Sequence, residues 1–328
     1  MGRYVLKLLL QMVPLLIGIT IISFAMMHLA PGGPMAVAVG DEEMQASLTP
    51  EQVDRIRARY GLDQPIHIQY FRWVSNMARG DFGTSFTQNR PVGTIILERL
   101  PNTLYLMFVV IVLAYLIAIP IGVWSAIRQY SVFDMSVTTL AFWGQAMPNF
   151  WLALLLIFTF AIRYPGIPTS GMATYGVDLS TSGFVEVLFD RLRHFILPVT
   201  VLTAQRTTAL TRYMRSSMLD VIRLDYVRTA RAKGLAERAV LYRHALKNAI
   251  LPVITLAGFT LSQLFSGSVI VERIFSWPGL GNLSIQAIFQ RDYAIIMAFV
   301  TIGALLTVTG MLLVDIAYAY VDPRIRFD

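Results

Sequence analysis

Few residues in this chain have the company that chemistry needs. The four histidines, His28, His67, His194 and His244, lie far apart and show no metal-ligand spacing. The absence of cysteine removes disulfides, thiol catalysis and cysteine-held iron–sulfur clusters. Ser216-Ser217 has no His/Asp arrangement that would activate a nucleophile. Gly32-Gly33 and Gly279-Leu280-Gly281 lack the lysine and the strand–helix setting of a phosphate loop, and neither GxxxxGK[ST] nor HExxH occurs. The expectation is a chain with no catalytic residue, no metal site and no cofactor of its own. What stands out instead is charge: nine basic residues between Arg212 and Lys247, and a solitary Arg206 inside an apolar run.

The elements that carry these charges are set by composition. Of 328 residues, 55% are hydrophobic and 14% charged, whereas a soluble domain carries roughly 25% charged residues. Five windows contain no Asp, Glu, Lys or Arg: Leu8–Ala30, Pro101–Ile127, Met135–Ile162, Asn248–Val271 and Tyr293–Val314. Each exceeds the roughly 20 residues needed to cross hydrocarbon. Arg3 and Lys7 precede the first window as in a signal peptide, but its length and lack of a small-x-small site predict a retained helix. Phe195–Met218 reads as a sixth span interrupted by Arg206, Arg212 and Arg215, or else as an amphipathic surface helix.

Charge sidedness decides for six. Both termini, the Arg128 turn and the Arg212–Lys247 region then share one face with fourteen basic residues. Residues 31–100 hold seven basic and eight acidic residues, and residues 163–194 hold three of each. The positive-inside rule puts the basic face, with both termini, in the cytoplasm. It also accounts for the net charge of +7 without nucleic acid. The expected fold is all-α and polytopic: residues 1–30 form the N-terminus and span one, 31–100 an extracytoplasmic segment, and 101–328 a core of spans two to six.

Local signals fill in the loops. Thr49-Pro50-Glu51-Gln52 predicts a helix over 50–60 with Thr49 as N-cap, Gln52 at N3 and Gly61 beyond its end. A second helix is predicted from Pro65 to Met77; its Tyr70, Phe71 and Trp73 serve packing, the membrane surface or ligand stacking. Residues 163–194 read as loop with a short helix after Ser182, and Trp277-Pro278-Gly279 as a turn with Trp277 at headgroup depth. Residues 219–250 form the largest cytoplasmic loop: a helix over Leu224–Lys233, a break at Gly234, then helical spacing of Leu235, Ala239, Tyr242 and Leu246.

The run Asp225-Tyr226-Val227-Arg228-Thr229-Ala230-Arg231-Ala232-Lys233-Gly234-Leu235, with His244-Ala245-Leu246-Lys247-Asn248-Ala249 and Leu251-Pro252, resembles the coupling loop of ABC importer permeases. It is most similar to the first permease of the dipeptide/oligopeptide/nickel group. The resemblance extends over nearly the whole chain. It includes Leu29-Ala30-Pro31-Gly32-Gly33-Pro34, Gly61-Leu62-Asp63, Gln69-Tyr70, Gly80-Asp81-Phe82-Gly83, Arg215-Ser216-Ser217-Met218-Leu219, Phe275-Ser276-Trp277-Pro278-Gly279-Leu280-Gly281, Arg291-Asp292-Tyr293 and Asp322-Pro323-Arg324-Ile325-Arg326. Thr229 stands where such permeases generally have Glu, and Leu251-Pro252 lies 17 and 18 residues past Gly234, both as in the peptide branch. Arg206 has no counterpart in the family pattern.

The resemblance implies a type I importer permease fold in the bacterial inner membrane and a homologous second permease. It further implies two cytoplasmic ATPase subunits that bind ATP and Mg, an extracytoplasmic substrate-binding protein, and a peptide as cargo. Contact with the ATPases falls to Asp225, Arg228, Thr229, Ala230, Arg231, Lys233, Gly234, Leu235 and Glu237. Arg228, Arg231 and Lys233 can pair with acidic groove residues, and Ala230 and Gly234 permit close approach. Candidates for the pathway lining are Arg206, Gln145, Asn149, Ser262 and Ser266. Ser262 and Ser266, with Gly258, equally fit a small-residue packing face. For Arg206 three readings stand: a span that starts before Phe195 and brings the charge to the inner boundary, an ion pair with a partner subunit, or a charge lining the pathway.

Overall fold

The computed structural model describes residues 2–29, 33, 48–85, 87–164, 166–178, 182–254, 256 and 268–321. All regular structure among them is helical apart from one isolated bridge between Thr84 and Pro91. The chain divides into two compact units, Met1–Thr103 with Gly279–Asp328, and Leu104–Pro278.

In the first unit, α1 (Gly2–Leu29) packs against α11 (Tyr293–Val321). Between them in sequence come α2 (Pro50–Tyr60) and α3 (Ile66–Ala78). The α2 start is the predicted capping box: Gln52 N donates to the Thr49 hydroxyl and Thr49 N to Gln52 Oε1. Gly61 ends it at φ 69°, a left-handed conformation that disfavours a β-carbon. Gln69 Nε2 donates to the Leu62 and Gln64 carbonyls, while its Oε1 lies 3.3 Å from His28 Nε2. Tyr70 and Trp73 lie against the Phe24 ring at 5.4 and 5.8 Å, so packing accounts for both. Phe71 faces outward. His28 is a hydrogen-bonded structural residue, its Nδ1 3.0 Å from the Phe24 carbonyl.

The first turns of α4 (Val92–Ile127) pack Val92, Ile95 and Ile96 against α10 (Leu280–Phe289) and the start of α11. Leu280 N donates to Thr103 Oγ1. Among the described residues three helices are long and apolar enough to cross a membrane: α1 over Met12–Leu29, α4, and α11 over Tyr293–Gly310. The terminal motif 322–328 and most of the stretch after Leu29 lie outside the described residues.

In the second unit the third apolar window is not one straight span. It is α5 (Val132–Ala146) followed by α6 (Asn149–Leu156), with a π-helical turn at Ile157–Ala161, bent by 101°. Pro148 is the cause. Its ring disfavours helical backbone at Met147, which sits extended at φ −81°, ψ 121°. The interrupted span predicted over Phe195–Met218 is also longer than expected: α7 runs from Phe184 to Ile222, absorbing the short helix predicted after Ser182.

Two cores hold this unit. In one, Leu106, Met107 and Val110 of α4 meet Leu197, Val201 and Leu202 of α7 and the end of α9 (Val269–Ile274). Trp277 is a correction. It is fully buried, edge-on to Phe195 at 4.8 Å, because its indole fills this core instead of anchoring at headgroup depth. The other core is built on small residues of α4, Ala114, Ala118 and Ala126, with Gly122 in the same row. A β-carbon on Gly122 would lie 2.7 Å from Met214 Cβ and 2.9 Å from the Thr211 carbonyl. The close crossing of α4 and α7 therefore requires glycine there.

Candidate functional site

Residues 225–249 pack onto that second core. Helix α8 (Asp225–Ala232) buries Val227 and Ala230, three residues apart and so on one face. A further helical segment, Glu237–Ala239, π-helical Val240–Ala245 and Leu246–Ala249, buries Val240, Leu241, Ala245 and Ala249. All of these join Ala114, Ala118 and Ala126 of α4 and Leu210, Met214 and Met218 of α7 in one cluster. Ser217 ties α7 to the segment's end, its hydroxyl donating to the Ala249 carbonyl at 2.7 Å. Asn248 Nδ2 donates to the Tyr226 hydroxyl at 2.8 Å, linking the two loop helices.

Asp225, Arg228, Thr229, Arg231, Lys233, Gly234, Leu235 and Glu237 are exposed on the opposite face. Ala230 turns inward, so its small side chain serves close packing within the chain and not an outward contact. Arg231 donates to both Glu237 oxygens, at 2.8 to 3.2 Å. These bonds outweigh partial burial and hold the Glu237 carboxyl below its ordinary range. Arg228 stands 3.5 Å from Asp225, and Lys233 meets no carboxylate among the described residues. Gly234 closes α8 at φ 75° with open space where a β-carbon would be.

The lining candidates among the described residues, Gln145, Asn149 and Arg206, share no hydrogen bond with one another. Gln145, at the end of α5, accepts a hydrogen bond from Arg212 of α7. Arg206 is six residues before Arg212, about 9 Å along the axis and about 120° around it. No carboxylate pairs with Arg206 among the described residues. Asn149 starts α6 just past the bend, its Oδ1 buried without a hydrogen-bond partner. Ser262 and Ser266, with the middle of the Asn248–Val271 window, lie outside the described residues.

Sequence reasoning missed one polar anchor. Asp134, 2% exposed, accepts from Arg215 Nε at 2.6 Å and Nη2 at 2.7 Å, from the Ser125 hydroxyl, and from Tyr130 N at 2.9 Å. Its only advance sign was the Ser131-x-x-Asp134 start of α5, where Asp134 N donates to Ser131 Oγ. Among the described residues no three His, Asp or Glu side chains group as a metal site.

The comparisons with known proteins fit this architecture. The chain is 46% identical over 328 residues, the full length of both, to the oligopeptide transport system permease protein AppB of Bacillus subtilis (strain 168). It is 37% identical over 340 aligned positions, again the full length of both, to the dipeptide transport system permease protein DppB of Alkalihalophilus pseudofirmus. An inward-facing MetNI methionine ABC transporter chain aligns with a TM-score of 0.48 at 18% identity, over 68% of this chain and 95% of that one. Residues 1–107 match the N-terminal domain of binding-protein-dependent transport system membrane components, and residues 118–327 the inner membrane component itself. The chain belongs to the family of binding-protein-dependent transport system inner membrane components, the non-catalytic, multi-pass permease components of ABC importers.

Proposed function

We propose that this chain is one of two homologous permease subunits of an ATP-driven importer of dipeptides or oligopeptides in a bacterial inner membrane. Cargo arrives from an extracytoplasmic substrate-binding protein. Two ATPase subunits on the cytoplasmic side bind ATP and Mg, and both termini of this chain face them across six spans. The peptide class is supported by the named cargo of the full-length relatives.

One observation carries the coupling role: the loop's buried face and the α4–α7 crossing share a single packed core. Close-packed interiors shift as units and do not absorb strain locally. A push on the exposed face of α8 therefore moves α4 and α7 with it. Lys233, which meets no carboxylate among the described residues, and Arg228, 3.5 Å from Asp225, offer cations to an acidic groove. Exposed Leu224, Tyr226 and Leu235 add apolar contact area.

Gly234 supplies the test. Within the chain an alanine fits there but must adopt positive φ, costing about 1–2 kcal/mol. Gly234→Ala should retain most uptake by the assembled transporter. Gly234→Trp should insert normally and lose uptake together with cargo-stimulated ATP hydrolysis, because its ring blocks contact from outside. Wild-type uptake in Gly234→Trp, at matched expression with the ATPases bound, removes the loop from the mechanism.

A further inference from the structure

Between α5 and α7 opens a cleft of about 450 Å³. Arg212 dominates it. Its guanidinium donates to Gln145 and lies 5.1 Å from the Phe142 ring centre, which fixes its direction without neutralising it. No carboxylate reaches Arg212 among the described residues. The neighbouring Arg215 is spent on Asp134, so it adds no free charge. Thr138, Tyr213 and Ser216, each carrying a neutral hydroxyl, are among the remaining lining residues. One oriented guanidinium among neutral donors and an aromatic face is a site for a single oxyanion attached to a small organic body.

We propose that this cleft is a transit site for the cargo's C-terminal carboxylate, with Arg212 as the recognising group. The inference rests on the peptide-importer reading and adds to it a place and a chemical group. A doubly charged or buried site would hold a peptide too firmly to release it. A single, partly hydrated guanidinium gives a contact of the modest strength that passage requires. The ring of Phe142 offers a neutral surface to a side chain next to the carboxylate.

The chain's lack of cysteine makes a direct test available. Ser216→Cys, in the complete transporter in phosphatidylcholine nanodiscs, is labelled with an anionic methanethiosulfonate and followed by the mass of this chain. Millimolar alanyl-phenylalanine should slow labelling about two- to fivefold, and its C-terminal amide should not. Arg212→Gln should abolish the protection and Arg212→Lys should keep part of it. Equal protection by acid and amide, or protection that survives Arg212→Gln, overturns the proposal. So does protection by added phosphatidylglycerol with none by peptide, which makes the cleft a lipid site. Uptake of alanyl-phenylalanine in proteoliposomes separates the two levels. Uptake without protection overturns the cleft assignment alone; neither uptake nor protection overturns the peptide reading with it.

Discussion

Asp292 accepts a hydrogen bond from the Ser85 hydroxyl at 2.6 Å across 207 residues of sequence. The same oxygen accepts from Thr87 N and Oγ1, at 3.2 and 2.9 Å, and the other carboxylate oxygen receives Ile295 N at 3.3 Å. Asp292 thus caps α11 and ties Ser85 and Thr87 to that helix start. Both Ser85 and Asp292 are fully buried. Hydrogen bonds to a charged group contribute about 1.5–3 kcal/mol each, and an orphaned buried hydroxyl adds a further cost. Asp292→Ala should lower the thermal stability of the solubilised protein by about 2–4 kcal/mol and open residues 80–91 to protease. Unchanged melting and cleavage would show the clamp to be dispensable.

Gly122→Ala should be more damaging than an alanine elsewhere in α4. Its β-carbon would meet backbone and the root of a side chain, neither of which can swing away. Overpacking of this kind costs about 1–3 kcal/mol. At Gly144 the nearest atoms all belong to the Thr208 side chain, with the hydroxyl at 2.7 Å, so a β-carbon there costs that hydroxyl its bond to the Ala204 carbonyl but meets no backbone among those atoms. Thermal unfolding should therefore rank Gly122→Ala below Gly144→Ala; the reverse order would place the critical helix contact elsewhere.

These two cases mark what the sequence made legible. The α2 capping box and the Gly61 and Gly234 breaks were readable because each depends on a few neighbouring residues. The Pro148 bend was readable in principle, since proline constrains Met147 directly, but unbroken hydropathy across Met135–Ile162 masked it. The clamp at Asp292, the Asp134–Arg215 pair and the burial of Trp277 depend on partners 81 to 207 residues away. No local pattern encodes such distances. The small-residue row at Ala114, Ala118, Gly122 and Ala126 has the same four-residue spacing as Gly258, Ser262 and Ser266 of the Asn248–Val271 window, and spacing alone does not say which row meets a neighbouring helix.

Orientation can be read with cysteines placed where the side chain is accessible. Tyr175 and Leu235 are both exposed, whereas Leu283 is buried and would label poorly from either side. In intact cells Tyr175→Cys should react with an impermeant maleimide, and Leu235→Cys should react only after the membrane is opened. External labelling of Leu235→Cys sinks the proposed topology.

The Arg231–Glu237 pair sets a pH window. Because the folded-state carboxyl of Glu237 is depressed, its contribution is present above the ordinary glutamate value, about 4.3, and is lost as pH falls through the lower folded value. Both side chains are exposed, so the effect stays below about 1 kcal/mol. Glu237→Gln should speed hydrogen exchange at Gly234 N, which donates to the Arg231 carbonyl, by up to about fivefold at neutral pH. The wild-type to variant ratio should stay constant from about pH 6 to 8. A ratio that drifts within that range would implicate another titrating group.

Arg206 remains the chain's most exacting charge. Helix α7 does start before Phe195, but its opening turns carry Glu186, Asp190, Arg191 and Arg193. Those residues belong outside hydrocarbon, so the earlier start does not carry Arg206 toward the inner boundary. It stays eleven residues beyond Phe195, about 16 Å along the axis and near the middle of a layer about 30 Å thick. At that depth a lipid-facing arginine costs at least about 2.5–3.5 kcal/mol, and no carboxylate pairs with Arg206 among the described residues. Either a carboxylate of the second permease or water in the pathway must meet the charge. Arg206→Gln separates the two: with a partner ion pair, the permease pair should fall apart on purification, because an orphaned buried carboxylate costs about 3–5 kcal/mol. With a watered pathway the pair should stay assembled and only uptake should change. Arg206→Gln that assembles and transports as wild type would leave the charge without either role.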